Sequence, residues 1–288
     1  MTPGAVVIGA GRMGAQVGCE YAIAGHRVTV LARDRERGEG ALRAALDLAR
    51  AAGRADAEEL KAADGAMTVA TDLDEVLDEP AIVFESVPED LELKARLLGA
   101  ASERWPRATL ASNTSSIPIE RLGAAIGRPE RLVGTHYWSP PLLMPLVELV
   151  TTAATLPEVV ESIDATLRAM GKRPVAVRDV PGFVWNRLQF ALLREALWLA
   201  EHDVASPETI DEIVRDGLAR RWRYSGPFET AQLGGVGTFA AVADNLFPVL
   251  STARSAPGLR EWPEPDPAAL EHSAARRMRG LLQELRIT

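Results

Sequence analysis

Short apolar runs alternate with helix-like segments over the first part of the chain. Most of these runs are rich in β-branched residues, and they cover Ala5–Ile8, Val28–Leu31, Ala81–Phe84, Thr109–Ala111, Leu132–Gly134 and Pro174–Val177. Strands that alternate with helices pair most simply as parallel neighbours through crossover connections. The pattern therefore predicts an α/β fold with a Rossmann-type, doubly wound, mostly parallel sheet over residues 1–179.

The pattern changes after Asp179-Val180-Pro181-Gly182, where the alternation stops. Long segments with helical periodicity follow, and they cover Val184 to about Ala200, Glu208 to Leu218, and Leu270 to Leu285. Residues 180–288 are therefore predicted to form an all-helical domain.

Two of these helices have recognisable beginnings. Ser206-Pro207 and Asp266-Pro267 each place an N-cap residue before a proline at the first helical position. In the last helix one apolar stripe is expected to pack against the rest of the protein; it consists of Leu270, Ala274, Met278, Leu281, Leu282 and Leu285. The Pro/Gly-rich stretch 257–267 is predicted to be a connector.

A glycine-rich turn follows the first strand directly. It runs from Gly9 through Gly11 and Met13 to Gly14 and opens an Ala-rich helix that should end at Gly25. The three loop glycines permit a tight turn, close approach of a pyrophosphate and close packing of helix on strand. The N–H groups at the start of that helix suit an anion, so the strand, loop and helix together predict dinucleotide binding.

The residue after the second strand bears on which dinucleotide is bound. An acidic side chain there accepts hydrogen bonds from a ribose 2′-OH, but this chain has Ala32 followed by Arg33. A small residue and an arginine suit a 2′-phosphate, which favours NADP over NAD. Asp34 takes the ribose instead if the register is displaced by two residues, and Arg33 and Arg35 are then solvated loop charges.

The length of the chain indicates its number of domains, and its net charge argues against some classes of partner. The 288 residues correspond to two domains at about 150 residues each. The net charge of −8 argues against nucleic acid or an anionic membrane surface as a partner, and no apolar run is long enough to span a bilayer. The single cysteine, Cys19, excludes an internal disulfide and a cysteine-based metal site, which favours a cytoplasmic protein without bound metal.

Polar residues fit for acid/base chemistry stand near the ends of the later predicted strands. Ser112 begins a Ser-Asn-Thr-Ser-Ser run, His136 follows Gly134-Thr135, and Glu148 comes twelve positions after His136. This is the ligand-binding edge of an open α/β sheet. His136 and Glu148 meet only if the chain doubles back through Pro140-Pro141, and the glutamate then orients one imidazole nitrogen and leaves the other for substrate.

At these residues the chain resembles the 3-hydroxyacyl-CoA dehydrogenase superfamily. The resemblance extends from Val6 to about residue 235, and it includes the glycine loop, Val87-Pro88-Glu89-Asp90-Leu91-Glu92-Leu93-Lys94, the Ser112 run, His136 to Glu148, and Pro181-Gly182-Phe183-Val184-Trp185-Asn186-Arg187. It implies a catalytic set of Ser112, His136, Glu148 and Asn186, with Ser112 and Asn186 also on the substrate. It further implies that Glu89 and Lys94 face the cofactor and that this cofactor is NAD, as is usual in the family. The helical residues 180–288 are then expected to bind substrate and to form the interface of a homodimer.

The helical half resembles one branch of that superfamily, the L-gulonate 3-dehydrogenase (λ-crystallin) and carnitine dehydrogenase branch. Asn186-Arg187-Leu188-Gln189, Asp216-Gly217-Leu218, Arg221-Trp222 and Gly226-Pro227-Phe228 carry this likeness. The chain ends in a charged helix instead of the glycine-rich, aromatic ending usual in the acyl-CoA enzymes. Arg221 matches an arginine of the branch and is a candidate to bind a free carboxylate in a bidentate manner.

These features favour an NAD(P)-dependent dehydrogenase that oxidises the C3 hydroxyl of a small 3-hydroxy acid. Two alternatives remain at the level of the sequence. One is a 3-hydroxyacyl-CoA dehydrogenase, such as one for 3-hydroxybutyryl-CoA, and the other is a non-catalytic, crystallin-like protein that binds a cofactor.

Overall fold

The computed structural model describes residues 4–260 and 266–285. It contains one eight-stranded sheet in the order β3-β2-β1-β4-β5-β6-β7-β8. The strands are β1 (Ala5–Ile8), β2 (Val28–Leu31), β3 (Met67–Ala70), β4 (Ile82–Glu85), β5 (Thr109–Ser112), β6 (Leu132–Tyr137), β7 (Leu146–Thr151) and β8 (Arg173–Arg178). All neighbours are parallel except β6 and β7, so the predicted doubly wound, mostly parallel sheet is confirmed.

Two strands were not predicted. β3 has only four residues and follows a helix without any intervening turn, so its sequence does not stand apart from that helix. β7 has Glu148 in its middle, and this charge interrupts the apolar run that identifies the other strands.

Helices cover both faces of the sheet. They are α1 (Arg12–Ile23), α2 (Arg35–Ala51), α3 (Ala57–Ala66), α4 (Leu91–Arg104), α5 (Ile119–Ile126) and α6 (Pro157–Ala169). Their ends are encoded locally. Gly25, with φ of 88°, follows α1 as predicted, the Asp34 side chain caps α2, and Asp56 with Glu59 forms a capping box at α3.

The core lies on both sides of the sheet because successive strand residues point to opposite faces. Val7 of β1 packs in the cluster that includes Ala15 and Tyr21 of α1. Its neighbour Val6 packs in the other cluster with Leu98 of α4. Burial on both faces explains why these strands appear in the sequence as nearly continuous apolar runs.

A buried ion pair lies beneath the loop that joins β6 to β7. Lys172 Nζ is 2.5 Å from Glu20 Oε1, and each side chain is 1% exposed. The same ammonium donates to the carbonyl oxygens of Pro141 at 2.6 Å and Met144 at 3.0 Å. The pair thus ties this loop to α1.

A second compact unit comprises residues 187–266. Its helices are the main part of α7 (Trp185–Glu201), α8 (Pro207–Glu212), a π-helical segment (Ile213–Leu218), α9 (Ala219–Trp222), α10 (Pro227–Leu233), α11 (Val236–Leu246) and α12 (Pro257–Arg260). Ser206 caps α8 through Thr209 N–H, as predicted. The described part of this unit contains no strand, which agrees with the predicted helical half.

The last helix, α13 (Pro267–Leu285), belongs to the first compact unit rather than to the helical one. Met278, Leu281 and Leu282 pack against the core of the sheet, which explains this difference from a simple division at residue 180. The apolar stripe is only partly buried, because Leu270 is 56% exposed and Ala274 is also exposed.

The predicted connector at 257–267 begins with the short helix α12, and its residues 261–265 lie outside the described residues. Over the part of the chain that the structure describes, no helix has the length and apolar character needed to cross a membrane.

Candidate active site

The polar residues predicted for chemistry come together at the carboxyl edge of the central strands. Ser112 is the last residue of β5, and His136 is the next-to-last residue of β6. β7 runs back beside β6 and places Glu148 directly opposite His136. The chain therefore makes the reversal after His136 that a meeting of the two residues requires, and side chains directly opposite in an antiparallel pair lie close together.

His136 and Glu148 form a buried pair. Nδ1 of His136 lies 2.6 Å from Oε2 of Glu148, and the two side chains are 6% and 3% exposed. Burial raises the pKa of the Glu148 carboxyl, but hydrogen bonds from His136 and from Trp185 N–H outweigh it, so this pKa lies below its ordinary value. An ionised carboxylate can only accept, so Nδ1 carries the proton and Nε2 of neutral His136 keeps a free lone pair.

The other oxygen of Glu148 is held by the start of α7. Oε1 accepts the backbone N–H of Val184 at 3.0 Å and of Trp185 at 2.9 Å. The turn before them has two left-handed residues, Gly182 with φ of 78° and Phe183 with φ of 49°. Phe183 is fully buried, and its ring centroid lies 5.5 Å from that of His136. Burial of this bulky ring holds a backbone conformation that phenylalanine rarely adopts.

Ser112 is bonded to a buried carboxylate. Its Oγ donates to Oε2 of Glu85 at 2.6 Å, while Oε1 of Glu85 accepts Lys94 Nζ and the N–H of Val87, both at 2.7 Å. The Glu85 and Lys94 side chains are 0% and 1% exposed. Lys94 thus lies behind the strand ends, and Glu89 Oε2 is 3.4 Å from its ammonium.

Glu89 organises the loop after β5. Its Oε1 accepts the Thr114 hydroxyl at 2.7 Å, the N–H of Ser115 at 2.9 Å, and the N–H and hydroxyl of Ser116 at 2.7 and 2.8 Å. Burial raises the pKa of the Glu89 carboxyl, but the hydroxyls of Thr114 and Ser116, with the Lys94 ammonium nearby, outweigh it and bring this pKa to about 2. Glu89 is therefore a permanent anion at neutral pH.

Asn186 is joined to this same loop. Its Nδ2 donates to the carbonyl oxygen of Ser115 at 2.8 Å. Asn186 directly follows Trp185, whose N–H is bonded to Glu148, so the start of α7 contacts both the dyad and the loop after β5. Asn186 is therefore bonded to the loop that begins at Ser112, and it is adjacent in sequence to Trp185, which holds Glu148.

The glycine loop fits a dinucleotide pyrophosphate. A Cβ on Gly9, which has φ of 109°, would lie 2.7 Å from the Ser86 carbonyl oxygen, and a Cβ on Gly14 would overlap the carbonyl oxygen of Gly9. Gly11 is the N-cap of α1 and, as a glycine, has no side chain to accept the first N–H groups of the helix. No atom lies within 4 Å of where its Cβ would be. Met13 packs against the core below. The first turn of α1 therefore presents open backbone N–H groups.

The residues after β2 differ in their hydrogen-bond partners. Ala32 is 8% exposed, and its N–H donates to the Ala70 carbonyl. Asp34 Oδ1 accepts Arg37 N–H at 2.8 Å and so caps α2. Arg35 is bonded to Glu75. Arg33 is exposed, and its guanidinium has no hydrogen bond or ion pair with any residue in the described ranges.

Two residues of this region are given no role by the sequence. Glu85 directly follows the apolar run of β4, and a carboxylate at the carboxyl end of a predicted strand is the signal that identifies it. Phe183 has no such signal, because its left-handed backbone depends on tertiary packing. Arg221 lies in α9 of the second unit; its side chain is exposed and has no polar partner among the residues that the structure describes.

Comparison with known proteins identifies both halves of the chain. Residues 4–180 match the family model described as 3-hydroxyacyl-CoA dehydrogenase, NAD binding domain. Residues 182–263 match the model described as 3-hydroxyacyl-CoA dehydrogenase, C-terminal domain.

Individual relatives include enzymes with different substrates. A probable 3-hydroxybutyryl-CoA dehydrogenase of Bacillus subtilis is 34% identical over 89% of this chain and 90% of its own length. L-carnitine dehydrogenase of Streptomyces griseus is 38% identical over 68% of this chain and 60% of the relative. The 5-formyl-3-hydroxy-2-methylpyridine 4-carboxylate 5-dehydrogenase of Mesorhizobium japonicum is 36% identical over 63% of this chain, and the match likewise spans only 60% of that relative.

A solved structure of the pyridine carboxylate dehydrogenase, described as an NAD⁺-dependent dismutase, superimposes with a TM-score of 0.88. The alignment covers 100% of this chain and 98% of that one, at 29% identity.

Proposed function

Because this chain belongs to the 3-hydroxyacyl-CoA dehydrogenase family of oxidoreductases, we propose that it transfers hydride between a nicotinamide cofactor and the C3 hydroxyl of a small 3-hydroxy acid. The observation that carries this proposal is the buried pair of His136 and Glu148, which leaves Nε2 of His136 as a base. The nicotinamide, when bound, accepts the hydride from C3 of the substrate.

The residues of this chain handle the proton. His136 Nε2 takes the proton of the C3 hydroxyl, and the charge that develops on the imidazole is stabilised by Glu148 at 2.6 Å. Two backbone N–H groups and the fully buried Phe183 ring keep that pair in place. Asn186 donates one Nδ2 proton to the carbonyl oxygen of Ser115, and its second Nδ2 proton is available for the substrate oxygen.

Cofactor binding is proposed for the glycine loop and its neighbours. Gly9, Gly11 and Gly14, with Met13 beneath them, would hold the pyrophosphate at the start of α1. Glu89 would face the cofactor through the part of its side chain that is exposed, 33%, whereas Lys94, at 1%, would act by holding Glu85 and Glu89.

The exposed guanidinium of Arg33 beside the small Ala32 supports use of NADP as well as NAD. Asp34 is less suited to the ribose, because one of its carboxylate oxygens already caps α2. We therefore propose that Arg33 binds a 2′-phosphate and that NADP⁺ serves at least as well as NAD⁺.

A small free acid is the proposed substrate class, with Arg221 as its carboxylate partner. Support comes from the TM-score of 0.88, over the full chain, to an enzyme named for a small carboxylate. The second candidate is a 3-hydroxyacyl-CoA thioester, which is favoured by the B. subtilis relative that matches over 90% of its length. A non-catalytic role has no comparable support, since the buried base and its carboxylate are intact.

A homodimer is proposed from the helical unit. Several large apolar side chains there are strongly exposed, among them Phe228 at 84%, Leu233 at 82%, Phe247 at 70%, Val249 at 65% and Val236 at 63%. Exposed apolar surface on this scale is typical of a protein interface. The single cysteine, Cys19, is buried and free, which fits the reducing cytoplasm that we propose as the compartment.

A substrate and cofactor screen tests the proposal. Reduction of NAD⁺ and NADP⁺ would be followed with gulonate, carnitine, 3-hydroxybutyrate and 3-hydroxybutyryl-CoA, in wild type and in His136→Gln. We expect turnover of at least one free acid, and a fall in kcat of about 10²–10⁴-fold in the variant with cofactor affinity within a few-fold of wild type. A wild type that prefers the thioester by orders of magnitude would replace the small-acid proposal with the CoA one.

A further inference from the structure

Two tryptophans stack on each other beside the pair of His136 and Glu148. Trp138 directly follows β6, two residues after His136, and Trp185 is the first residue of α7. Their ring centroids are 3.7 Å apart, with an angle of 23° between the ring planes. Both side chains are partly buried, and both belong to the first compact unit. The stack is therefore a side-chain contact between the end of β6 and the start of α7.

The start of α7 is also where Glu148 is held. Oε1 of Glu148 accepts the N–H of Val184 at 3.0 Å and that of Trp185 at 2.9 Å. Trp185 thus contacts the carboxylate through its backbone and Trp138 through its ring. One residue connects the carboxylate to the strand that carries His136.

The turn before α7 does not explain this placement by itself. Phe183 has φ of 49°, a left-handed conformation that is unfavourable for a residue with a side chain. Burial of its ring fixes Phe183, but the N–H groups that reach Glu148 belong to the two residues after it. Neither tryptophan ring packs in the two core clusters formed by the described residues. The stack therefore contributes to the position of α7 rather than to the core of the sheet.

We infer that Trp138 and Trp185 are positioning residues whose stacked rings hold the start of α7 against the end of β6 and so keep two backbone N–H groups on Glu148. The inference rests on the proposed function for the role of His136 as the base. It assigns neither ring a contact with substrate or cofactor.

Loss of the stack should change the charge of Glu148 as a function of pH. Burial raises the pKa of this carboxyl, whereas hydrogen bonds from His136, from Trp185 N–H and from Val184 N–H lower it. If the start of α7 moves away, two of these donors are lost and the pKa of Glu148 rises. The carboxyl then takes up a proton at higher pH and no longer stabilises the charge that develops on His136. A change in pH dependence should therefore accompany the change in rate.

Two leucine variants test the inference. Trp138→Leu and Trp185→Leu each remove the stack and leave the backbone N–H groups in place. We expect each variant to lower kcat by roughly 2- to 10-fold, the usual contribution of an aromatic pair, with cofactor affinity unchanged. The acidic limb of the kcat/KM profile should move to higher pH. The double variant should be little worse than either single one, because both remove the same contact.

Circular dichroism reports on the stack directly. Two stacked indoles give an exciton couplet, and no other pair of tryptophans is in ring contact within the described ranges. Trp138→Phe is the conservative control, because a phenyl ring can still stack on Trp185. It should lose the couplet and yet keep kcat and the acidic limb close to those of wild type.

A matched control removes a stacked ring elsewhere in the first compact unit. His26 stacks on Tyr21 with ring centroids 4.3 Å apart, and it precedes β2 at the amino edge of the sheet, away from His136. His26→Leu should leave both kcat and the pH profile unchanged.

Several results would overturn the inference. One is additive effects of the two leucine substitutions, and another is a raised substrate KM with unchanged kcat and pH profile, which would make the rings a wall of the substrate site. Either leucine variant suffices if the other does not fold. Trp138→Met, whose flexible side chain fills gaps without a ring, replaces both if neither folds.

Nitrogen NMR of histidine-labelled protein provides a readout without turnover. The pH titration of the His136 signal should differ from wild type in the leucine variants and match it in Trp138→Phe. The same titration in all of these proteins would overturn the inference. Failure of the proposed function would look different, because no substrate of the screen would turn over while the titration still reported on the stack.

Discussion

Replacing Glu148 by glutamine should change the tautomer of His136 while leaving the fold intact. Two backbone donors, Val184 N–H and Trp185 N–H, face one oxygen of the Glu148 side chain. In the variant the amide oxygen must stay with these donors, so the amide NH₂ faces Nδ1 of His136. Nδ1 then accepts, the ring proton moves to Nε2, and the nitrogen proposed as the base is blocked.

The size of the effect follows from the cost of restoring the productive tautomer. A flip of the glutamine amide would leave two buried N–H groups without an acceptor, at about 1–3 kcal/mol each. That penalty is about 2–6 kcal/mol, and every 1.4 kcal/mol corresponds to about a factor of ten. We therefore expect kcat to fall by about 10²–10⁴-fold, the usual contribution of a positioned general base.

The assay combines kinetics with a direct reading of the tautomer. Steady-state kcat would be measured for both proteins, and nitrogen NMR of histidine-labelled protein would show which nitrogen of His136 is protonated. The chain has only four histidines, and His136→Gln assigns the signal. Glu148→Ala is the informative contrast, because it leaves both backbone donors unpaired and should lose about 2–6 kcal/mol of unfolding free energy. A Glu148→Gln enzyme with near-normal kcat, or with Nδ1 still protonated, would refute the reasoning.

Four further predictions concern other residues. Arg33→Ala should raise the KM for NADP⁺ and leave that for NAD⁺ unchanged; a strong NAD⁺ preference unaffected by the change would contradict it. Arg221→Met should raise KM for a free 3-hydroxy acid by roughly tenfold or more, as expected from about 1.5–3 kcal/mol for a hydrogen bond to a charged group, and should affect a thioester much less. Because the folded pKa of Glu89 is about 2 against an ordinary 4.5, its contribution to stability is present above pH 4.5 and lost as pH falls toward 2. In Glu89→Gln the unfolding free energy should therefore fall less steeply with acid in that window. If urea titrations give wild type and variant the same dependence of unfolding free energy on pH, Glu89 contributes nothing. Lys172→Met should lower the unfolding free energy by about 3–5 kcal/mol, because Glu20 is then buried with only Arg54, at 3.5 Å, as a charged partner; a loss below about 1 kcal/mol would argue against this.

Local signals were enough to predict much of the fold. The strands at Ala5–Ile8 and Val28–Leu31 and the glycine that ends the first helix were all evident, because each depends on a few adjacent residues. For His136 and Glu148 the sequence stated only a condition, that the chain doubles back through Pro140-Pro141, and the antiparallel pair of β6 and β7 meets it. Apart from the strands β3 and β7, the features that the sequence did not predict depend on distant contacts.

Three examples show where sequence information ends. The left-handed backbone of Phe183 is unfavourable for a phenylalanine on its own, and only the buried position of its ring explains it. The C-terminal helix α13 has an apolar stripe, but nothing in that stripe specifies that it packs against the sheet. The direction of the Ser112 hydrogen bond depends on Glu85, which lies in another strand. Periodicity identifies elements, whereas partners across the chain decide what each side chain does.

The single antiparallel pair in the described sheet also has a consequence for how the protein folds. Residues 138–145 alone separate β6 from β7, whereas every parallel neighbour in the sheet is reached through a longer crossover. The entropy lost on closing a loop grows with its length, by about 0.6 kcal/mol for each doubling. His136 and Glu148 thus meet across the strand pair with the smallest closure cost in this sheet. Their alignment can form from a short hairpin, before the long crossovers that complete the rest of the sheet.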